Sequence, residues 1–153
     1  MSKNIHIVNA LVPVADAFAG TIATDIINLK NWEYMNFIIQ CGAGALGTST
    51  ITIEACDDTT PTHTTPIPFY YQECVSGDTF GAIQQSPVTG FVTAAGANKM
   101  YKILIEAKML AVTGYNYIRL KAVEATNDPV TASILAVLFD GRYNGEISES
   151  ALV

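Results

Sequence analysis

The chain has 153 residues, of which 50% are hydrophobic and only 14% are charged, and its formal net charge is −6. This length predicts one domain with a substantial core, and the low charge content predicts that partners cover part of its surface. The eight lysines and arginines are scattered, which argues against nucleic-acid binding, because that depends on clustered positive charge.

The first twenty residues contain an apolar stretch, but His6, Pro13 and Asp16 interrupt it. This argues against a secretory signal, and we expect the mature chain to begin at or near Met1. The longest apolar run, ASILAVLF at 132–139, is far shorter than the roughly 20 residues that cross a bilayer as a helix. We therefore expect no transmembrane helix and no membrane partner.

Short apolar runs and period-2 alternation dominate the chain, bounded by Gly, Pro, Asn, Asp and Thr clusters, as is typical of strands joined by turns. Strands are predicted near 4–8, 22–29, 33–41, 48–56, 67–74, 89–94, 99–107, 115–124 and 131–139. Residues 106–112 could form a turn of helix at most. The pattern predicts an all-β fold, an antiparallel, jelly-roll-like β-sandwich of about 8–9 strands with little helix.

Three segments indicate which faces are buried. In TSTITIEAC (48–56), the isoleucines and Ala55 share one face, and the threonines and Glu54 are predicted to face water. In NYIRLKAVE (116–124), alternation predicts Ile118, Leu120 and Ala122 on the core side. TASILAVLF (131–139) fits a central strand covered on both faces, or one whose outer face meets another subunit, and a helix is the alternative.

Gly42, Gly44 and Gly47 have the G-x-G-x-x-G spacing of dinucleotide-binding loops. That motif needs a helix after the third glycine, because the pyrophosphate sits on the helix N-terminus. An alternating segment, TSTITIEAC, follows instead. The sequence therefore predicts a β-hairpin, with glycines supplying positive φ, and no bound cofactor.

Other chemistry has little support in the sequence. Cys41, Cys56 and Cys74 are odd in number and widely spaced, which fits neither a disulfide framework nor a C-x-x-C metal site, so we expect buried, reduced thiols. The tightest cluster of metal-ligand types, from Cys56 to His63, is more typical of a turn. No G-x-S-x-G elbow is present. Paired catalytic carboxylates stay open, because their separation is three-dimensional, but we expect no metal and no enzyme activity.

Two regions are the candidates for partner contact. Residues 57–68, DDTTPTHTTPIP, are predicted to be an exposed loop, because their prolines forbid a central strand. We predict a single β-sandwich domain over 1–140 and a C-terminal arm over 141–153. In PFYYQE, neighbouring rings must point to opposite faces, so at least one reaches an outer surface. The candidate contact residues are Asp57, Asp58, His63, Phe69, Tyr70, Tyr71, Arg142 and Tyr143.

From residue 11 to about 143, the pattern of strands and turns resembles small structural proteins of tailed bacteriophages and prophages. ITIEACDD (51–58) and YIRLK (117–121) carry the resemblance. It implies a head decoration (cement) protein, made in the host cytoplasm and located on the capsid surface of the virion. Its implied partners are the major capsid protein and neighbouring copies of itself. No residue of a known binding site transfers with the resemblance.

Two other functions remain open at this point. The protein could be another virion component, a tail or fibre part, which the sequence barely distinguishes from a head protein. It could also be a carbohydrate-binding β-sandwich, which would need a solvent-facing row of aromatic side chains.

Overall fold

The computed structural model describes residues 5–142, which form two antiparallel sheets packed face to face. In chain order the strands are β1 (Ile5–Val14), β2 (Thr21–Ala23), β3 (Ile27–Asn28), β4 (Trp32–Cys41), β5 (Thr48–Cys56), β6 (Thr64–Ile67), β7 (Phe69–Ser76), β8 (Thr79–Phe80), β9 (Gln84–Ser86), β10 (Phe91–Val92), β11 (Met100–Glu106), β12 (Tyr117–Thr126) and β13 (Ala132–Gly141). A 3₁₀ helix, η1 (Ala107–Leu110), follows β11. The all-β sandwich predicted from the sequence is confirmed.

The first sheet, sheet A, has the order β1-β13-β4-β11-β7-β8, with β9 paired to β7. The second, sheet B, has the order β10-β5-β12-β2, with β3 paired to β12 and β6 to β5. The strand total exceeds the predicted eight or nine because several connections make two- to four-residue pairings on the margins of the long strands. These short segments carry no alternation of their own, so the sequence pattern misses or merges them.

The core lies between the two inner faces, and period-2 alternation places its side chains. Ile118, Leu120 and Ala122 of β12 are fully buried, as predicted. The segment predicted as a central strand or a helix is the strand β13, which lies between β1 and β4. Its inward positions are buried, but Leu135 on its outer face is 37% exposed. Within residues 5–142, therefore, β13 is covered on one face only.

The burial of Glu54 differs from the burial pattern predicted for β5. Its side chain was expected to face water with the threonines, but the residue is only 5% exposed. Arg119 donates hydrogen bonds of 2.9 and 2.7 Å to Glu54 Oε2, and Lys121 Nζ lies 3.4 Å from Oε1. Two cations on the neighbouring strand β12 thus cover the carboxylate, which compensates for its removal from water.

The predicted glycine hairpin is wrong. β4 belongs to sheet A and β5 to sheet B, so the loop between them crosses from one sheet to the other. The positive-φ glycines of the described chain do not include Gly42, Gly44 or Gly47. Instead, a Cβ on Gly47 would lie 2.1 Å from the carbonyl oxygen of Asp128. Gly47 therefore allows its loop and the loop at Asp128 to approach closely. It does not have the positive φ of a hairpin turn.

The Thr- and Pro-rich segment is also corrected in part. Residues 57–63 form the expected loop, but Thr64–Ile67 form β6, an edge strand paired to β5. Pro66 is compatible with this position because an edge strand has one unpaired side. Of the arm predicted for 141–153, the first two residues belong to the sandwich, since β13 runs to Gly141 and the Arg142 amide donates to Asn31 O at 2.9 Å. Tyr143 and the rest of the segment predicted to be an arm lie outside the described residues.

The three cysteines are free thiols. Cys41 and Cys56 are buried, and burial raises the pKa of each thiol to about 11. Cys74 is only partly buried, so the expectation of buried thiols holds for two of the three. No helix within residues 5–142 is long and apolar enough to cross a membrane.

Candidate functional site

An open groove of about 600 Å³ lies between the start of β7 and the segment that contains η1. Its walls are mainly apolar, and the apolar residues on them are Pro66, Ile67, Pro68, Phe69, Tyr70, Met109 and Val112. Two of the predicted contact residues, Phe69 and Tyr70, thus lie at one concave surface. A concave apolar surface with a few polar groups is the usual form of a binding site.

Local sequence explains the shape of the groove. Pro66 and Pro68 hold one wall extended, because the proline ring fixes φ. Strand alternation then turns Phe69 into the core and Tyr70 outward, where it is 39% exposed. On the opposite wall, the 3₁₀ helix presents Met109, and Val112 beyond it is almost fully exposed. The prediction that one ring of PFYYQE reaches an outer surface is confirmed by Tyr70.

The third ring of that segment has a different role. Tyr71 stacks on Phe91 with a centroid distance of 3.9 Å and an interplanar angle of 4°. Its hydroxyl donates to Gln84 Oε1 at 2.9 Å. Tyr71 therefore joins β7 to β10 across the margins of the two sheets, and Phe69 is a core residue at 1% exposure. Of the three aromatic candidates, Tyr70 offers the accessible ring.

One ion pair marks the polar rim of the groove. Lys108 and Glu106 are in direct contact, and the hydrogen bond to Glu106 raises the pKa of Lys108. Because the two charges neutralise each other, the groove carries little net charge. Among the described residues that line it, there is no histidine, cysteine or aspartate. Its chemistry therefore suits apolar contact with a partner.

Asp57 closes the loop 57–63 that leads into β6. Its carboxylate accepts hydrogen bonds from the His63 amide at 3.2 Å and from the Thr62 hydroxyl at 3.0 Å, and it lies 3.0 Å from His63 Nδ1. Partial desolvation raises the pKa of Asp57, but these hydrogen bonds outweigh it and lower the value to about 2. Asp57 thus fixes the loop and leaves the His63 ring exposed.

This cluster lacks the geometry of a catalytic relay. Asp57 and Thr62 both lie 3.0 Å from Nδ1 of His63, whereas a relay needs the acid and the nucleophile on different ring nitrogens. Asp58 accepts from the Thr59 amide at 2.6 Å, which is a local turn contact. Within residues 5–142, no group of three His, Cys, Asp or Glu side chains is placed to hold a metal ion.

Arg142 lies apart from these features, at the end of β13. Its Nε is 3.2 Å from Glu33 Oε2, and both side chains are about 40% exposed, at 39% and 41%. This surface pair contributes little stability. Tyr143 lies outside the described residues. The structure therefore places Phe69 and Tyr70 at the groove, and Asp57, Asp58 and His63 in the loop between β5 and β6. Arg142 lies directly after β13 and does not line the groove.

Comparisons with known proteins give a similarity at the level of the fold. The sequence matches no protein-family model and no curated protein sequence. The fold is similar to that of the SPBc2 prophage-derived protein YomS, with a TM-score of 0.50 and 8% identity over 92% of this chain and 96% of that chain. At this identity the similarity shows a shared fold, and that fold extends over nearly the whole of both chains.

Two structures of infectious bursal disease virus, strains Gx and Gt, match at TM-scores of 0.25 and 0.23. Their identities are 13% and 14%, over 93% and 97% of this chain and 43% of each viral chain. These scores are too low to support any inference about this chain.

Proposed function

We propose that this protein is a structural component of a bacteriophage virion, a decoration (cement) protein that binds the outside of the capsid and stabilises its lattice. The observation that carries the proposal is the nearly full-length fold similarity to a prophage-derived protein. The resemblance of residues 11–143 to phage structural proteins points the same way. The proposed partner is the major capsid protein, and the role involves no catalysis, cofactor, membrane or nucleic acid.

The groove is the proposed contact with the capsid. An exposed ring, Tyr70, stands beside the flexible side chain of Met109 and the exposed Val112. Tyrosine is enriched among the residues that dominate binding energy at protein interfaces, because its ring buries a large area with few rotatable bonds. Because the charges on the rim are paired, an apolar segment of the capsid surface can enter the groove without burying an unpaired charge.

The proposed mechanism is stabilisation by mass action. A ligand that binds the assembled lattice and not its separated subunits stabilises the lattice by its binding free energy. A capsid presents the same contact many times, so a modest free energy per site sums to a large effect on the particle. Pro66 and Pro68 on the groove wall and the sheets behind it keep the contact surface ordered before binding, which reduces the entropy cost.

Co-sedimentation with mature, empty capsids built from the major capsid protein of the same gene cluster tests the proposal. We expect saturable, stoichiometric binding, and we expect Tyr70→Ala to raise the dissociation constant by about tenfold or more. Val92→Ala, an exposed site on β10 in sheet B, is the control and should bind like the wild type. Absence of binding by the wild-type protein would refute the decoration role.

A carbohydrate-binding role has less support. Sugar platforms use several solvent-facing rings, and Tyr70 is the most exposed Phe, Tyr or Trp side chain among residues 5–142. A single ring in the groove does not make the row of aromatics that this function requires.

A further inference from the structure

The outer faces of the two sheets differ in chemistry. On sheet B, the outward positions of β5 and β12 from Thr50 to Cys56 and from Tyr117 to Val123 are mostly polar. The polar residues are Thr50, Thr52, Glu54, Arg119 and Lys121, and the others are Cys56, Tyr117 and Val123. On sheet A, the outward positions of the long strands are mostly apolar. A solvated antiparallel sheet normally has polar residues on its outer side, so sheet B follows the rule and sheet A departs from it.

Strand register defines this apolar face. Next to a mostly polar margin of Ser133, Gln40 and Met100, four strands, β1, β13, β4 and β11, align their outward residues in three rows. The rows are Ile5, Phe139, Tyr34 and Glu106; Ile7, Val137, Asn36 and Leu104; and Asn9, Leu135, Ile38 and Lys102. Eight of these twelve residues are hydrophobic. Ile5 and Ile7 are 59% and 64% exposed, so the face is open to solvent at its β1 side.

The charge on this face is balanced. Lys102 and Glu106 are its charged residues, and both lie on β11 at one margin. Glu106 contacts Lys108, and the Lys102 ammonium lies 4.6 Å from the centre of the Phe80 ring. The chain as a whole carries −6. Two copies therefore repel each other least where their apolar faces meet.

The size of the face suits association of two copies. Each outward side chain on a sheet covers about 33 Å² of flat area, from a strand spacing of about 4.8 Å and a two-residue repeat of about 6.8 Å. Twelve positions give about 400 Å² per copy, or about 800 Å² for a pair. The accessible surface of projecting side chains exceeds the flat area, so the pair reaches the roughly 1,000 Å² of a specific interface.

We infer that the apolar face is a self-association surface, on which a second copy of this chain packs its own apolar face to form a two-fold symmetric dimer. A two-fold dimer uses the same patch on both subunits, so one apolar face is sufficient. Homodimer interfaces are more apolar than transient ones, and two sheets pack face to face at about 10 Å. The dimer forms in free protein and does not depend on capsid binding.

Two matched substitutions test this surface. Leu135 lies in the third row of the apolar face, on β13 between β1 and β4, at 37% exposure, and Val123 lies on the outer face of sheet B at 38% exposure. Leu135→Lys would place an ammonium in the dimer contact without disturbing the core, because its side chain already points outward. Val123→Lys makes the same chemical change on the opposite outer face. Sedimentation equilibrium at about 100 µM protein measures the mass of each.

We expect wild type and Val123→Lys to be dimers, and Leu135→Lys to dissociate with a dissociation constant raised by about 100-fold or more. Ile7→Lys, on the edge strand β1, should also weaken the dimer, and it serves if Leu135→Lys does not fold by circular dichroism. A monomeric wild type, or an oligomer that survives both substitutions on the apolar face, overturns the inference. Loss of the dimer in Val123→Lys would overturn it as well.

Discussion

Arg119 donates two hydrogen bonds to one carboxylate oxygen of Glu54, at 2.9 and 2.7 Å, across the β5–β12 pairing of sheet B. The carboxylate is nearly inaccessible, and Lys121 at 3.4 Å is its other cationic neighbour. Removing one partner of a buried pair leaves a charge without compensation, which costs more than the pair itself contributes.

We therefore predict that Arg119→Met lowers the free energy of unfolding by about 2 kcal/mol, measured by urea denaturation. The remaining Lys121 keeps the loss below that of a fully isolated charge. Lys99→Met is the matched control, because it breaks a pair with Glu73 at 3.6 Å in which both side chains are one third exposed, at 33% and 34%, and it should cost under about 1 kcal/mol. Equal losses in the two variants would contradict the role assigned to Glu54 burial.

Gly47 and Gly42 provide a second comparison within one loop. A Cβ on Gly47 would lie 2.1 Å from Asp128 O, whereas a Cβ on Gly42 would meet its nearest atoms at 3.7 Å. Because the clash at Gly47 involves backbone, Gly47→Ala should lower the unfolding free energy by more than about 2 kcal/mol. Gly42→Ala should change it by less than about 1 kcal/mol. Similar melting curves for both variants would show that the two loops are not held together.

Asp57 gives a pH prediction. Its pKa of about 2 lies below the ordinary value of 3.8, so the unfolded chain binds this proton more tightly than the folded one. The stabilisation is present above about pH 4 and is lost as the pH falls towards 2. Carboxyl-carbon NMR should show Asp57 titrating near 2. Asp57→Asn should reduce the acid dependence of stability between pH 4 and 2, and Asp58→Asn should retain it. If Asp57 titrates near 4, its carboxylate does not accept the hydrogen bonds that close the loop, and the role assigned to Asp57 is contradicted.

The sequence predicted local structure better than the long-range arrangement of strands. Alternation located the core face of β12 at Ile118 and Leu120, and it required one outward ring in PFYYQE, which is Tyr70. Alternation could not show that β4 and β5 belong to different sheets, because strand pairing depends on residues that are far apart in the sequence. For this reason the local pattern around the glycines predicts a hairpin that the structure does not contain.

The sequence predicted one wall of the candidate site and not the other. The sequence indicated Tyr70, but the opposite wall of the groove comes from Met109 and Val112, which no local pattern connects to β7. The burial of Glu54 was missed because it depends on Arg119 and Lys121, 65 and 67 residues away. The apolar face was indicated only by the run at 131–139, since its other members belong to strands far apart in the chain.

The thermal stability of mature, empty capsids with and without the purified protein tests the central claim most directly. If the protein is a decoration protein, a saturating concentration should raise the capsid melting temperature, and the increase should grow with protein concentration as mass action requires. Tyr70→Ala should need a higher concentration for the same increase. An unchanged capsid melting temperature at saturating wild-type protein, with no protein retained on the particles, would contradict the account.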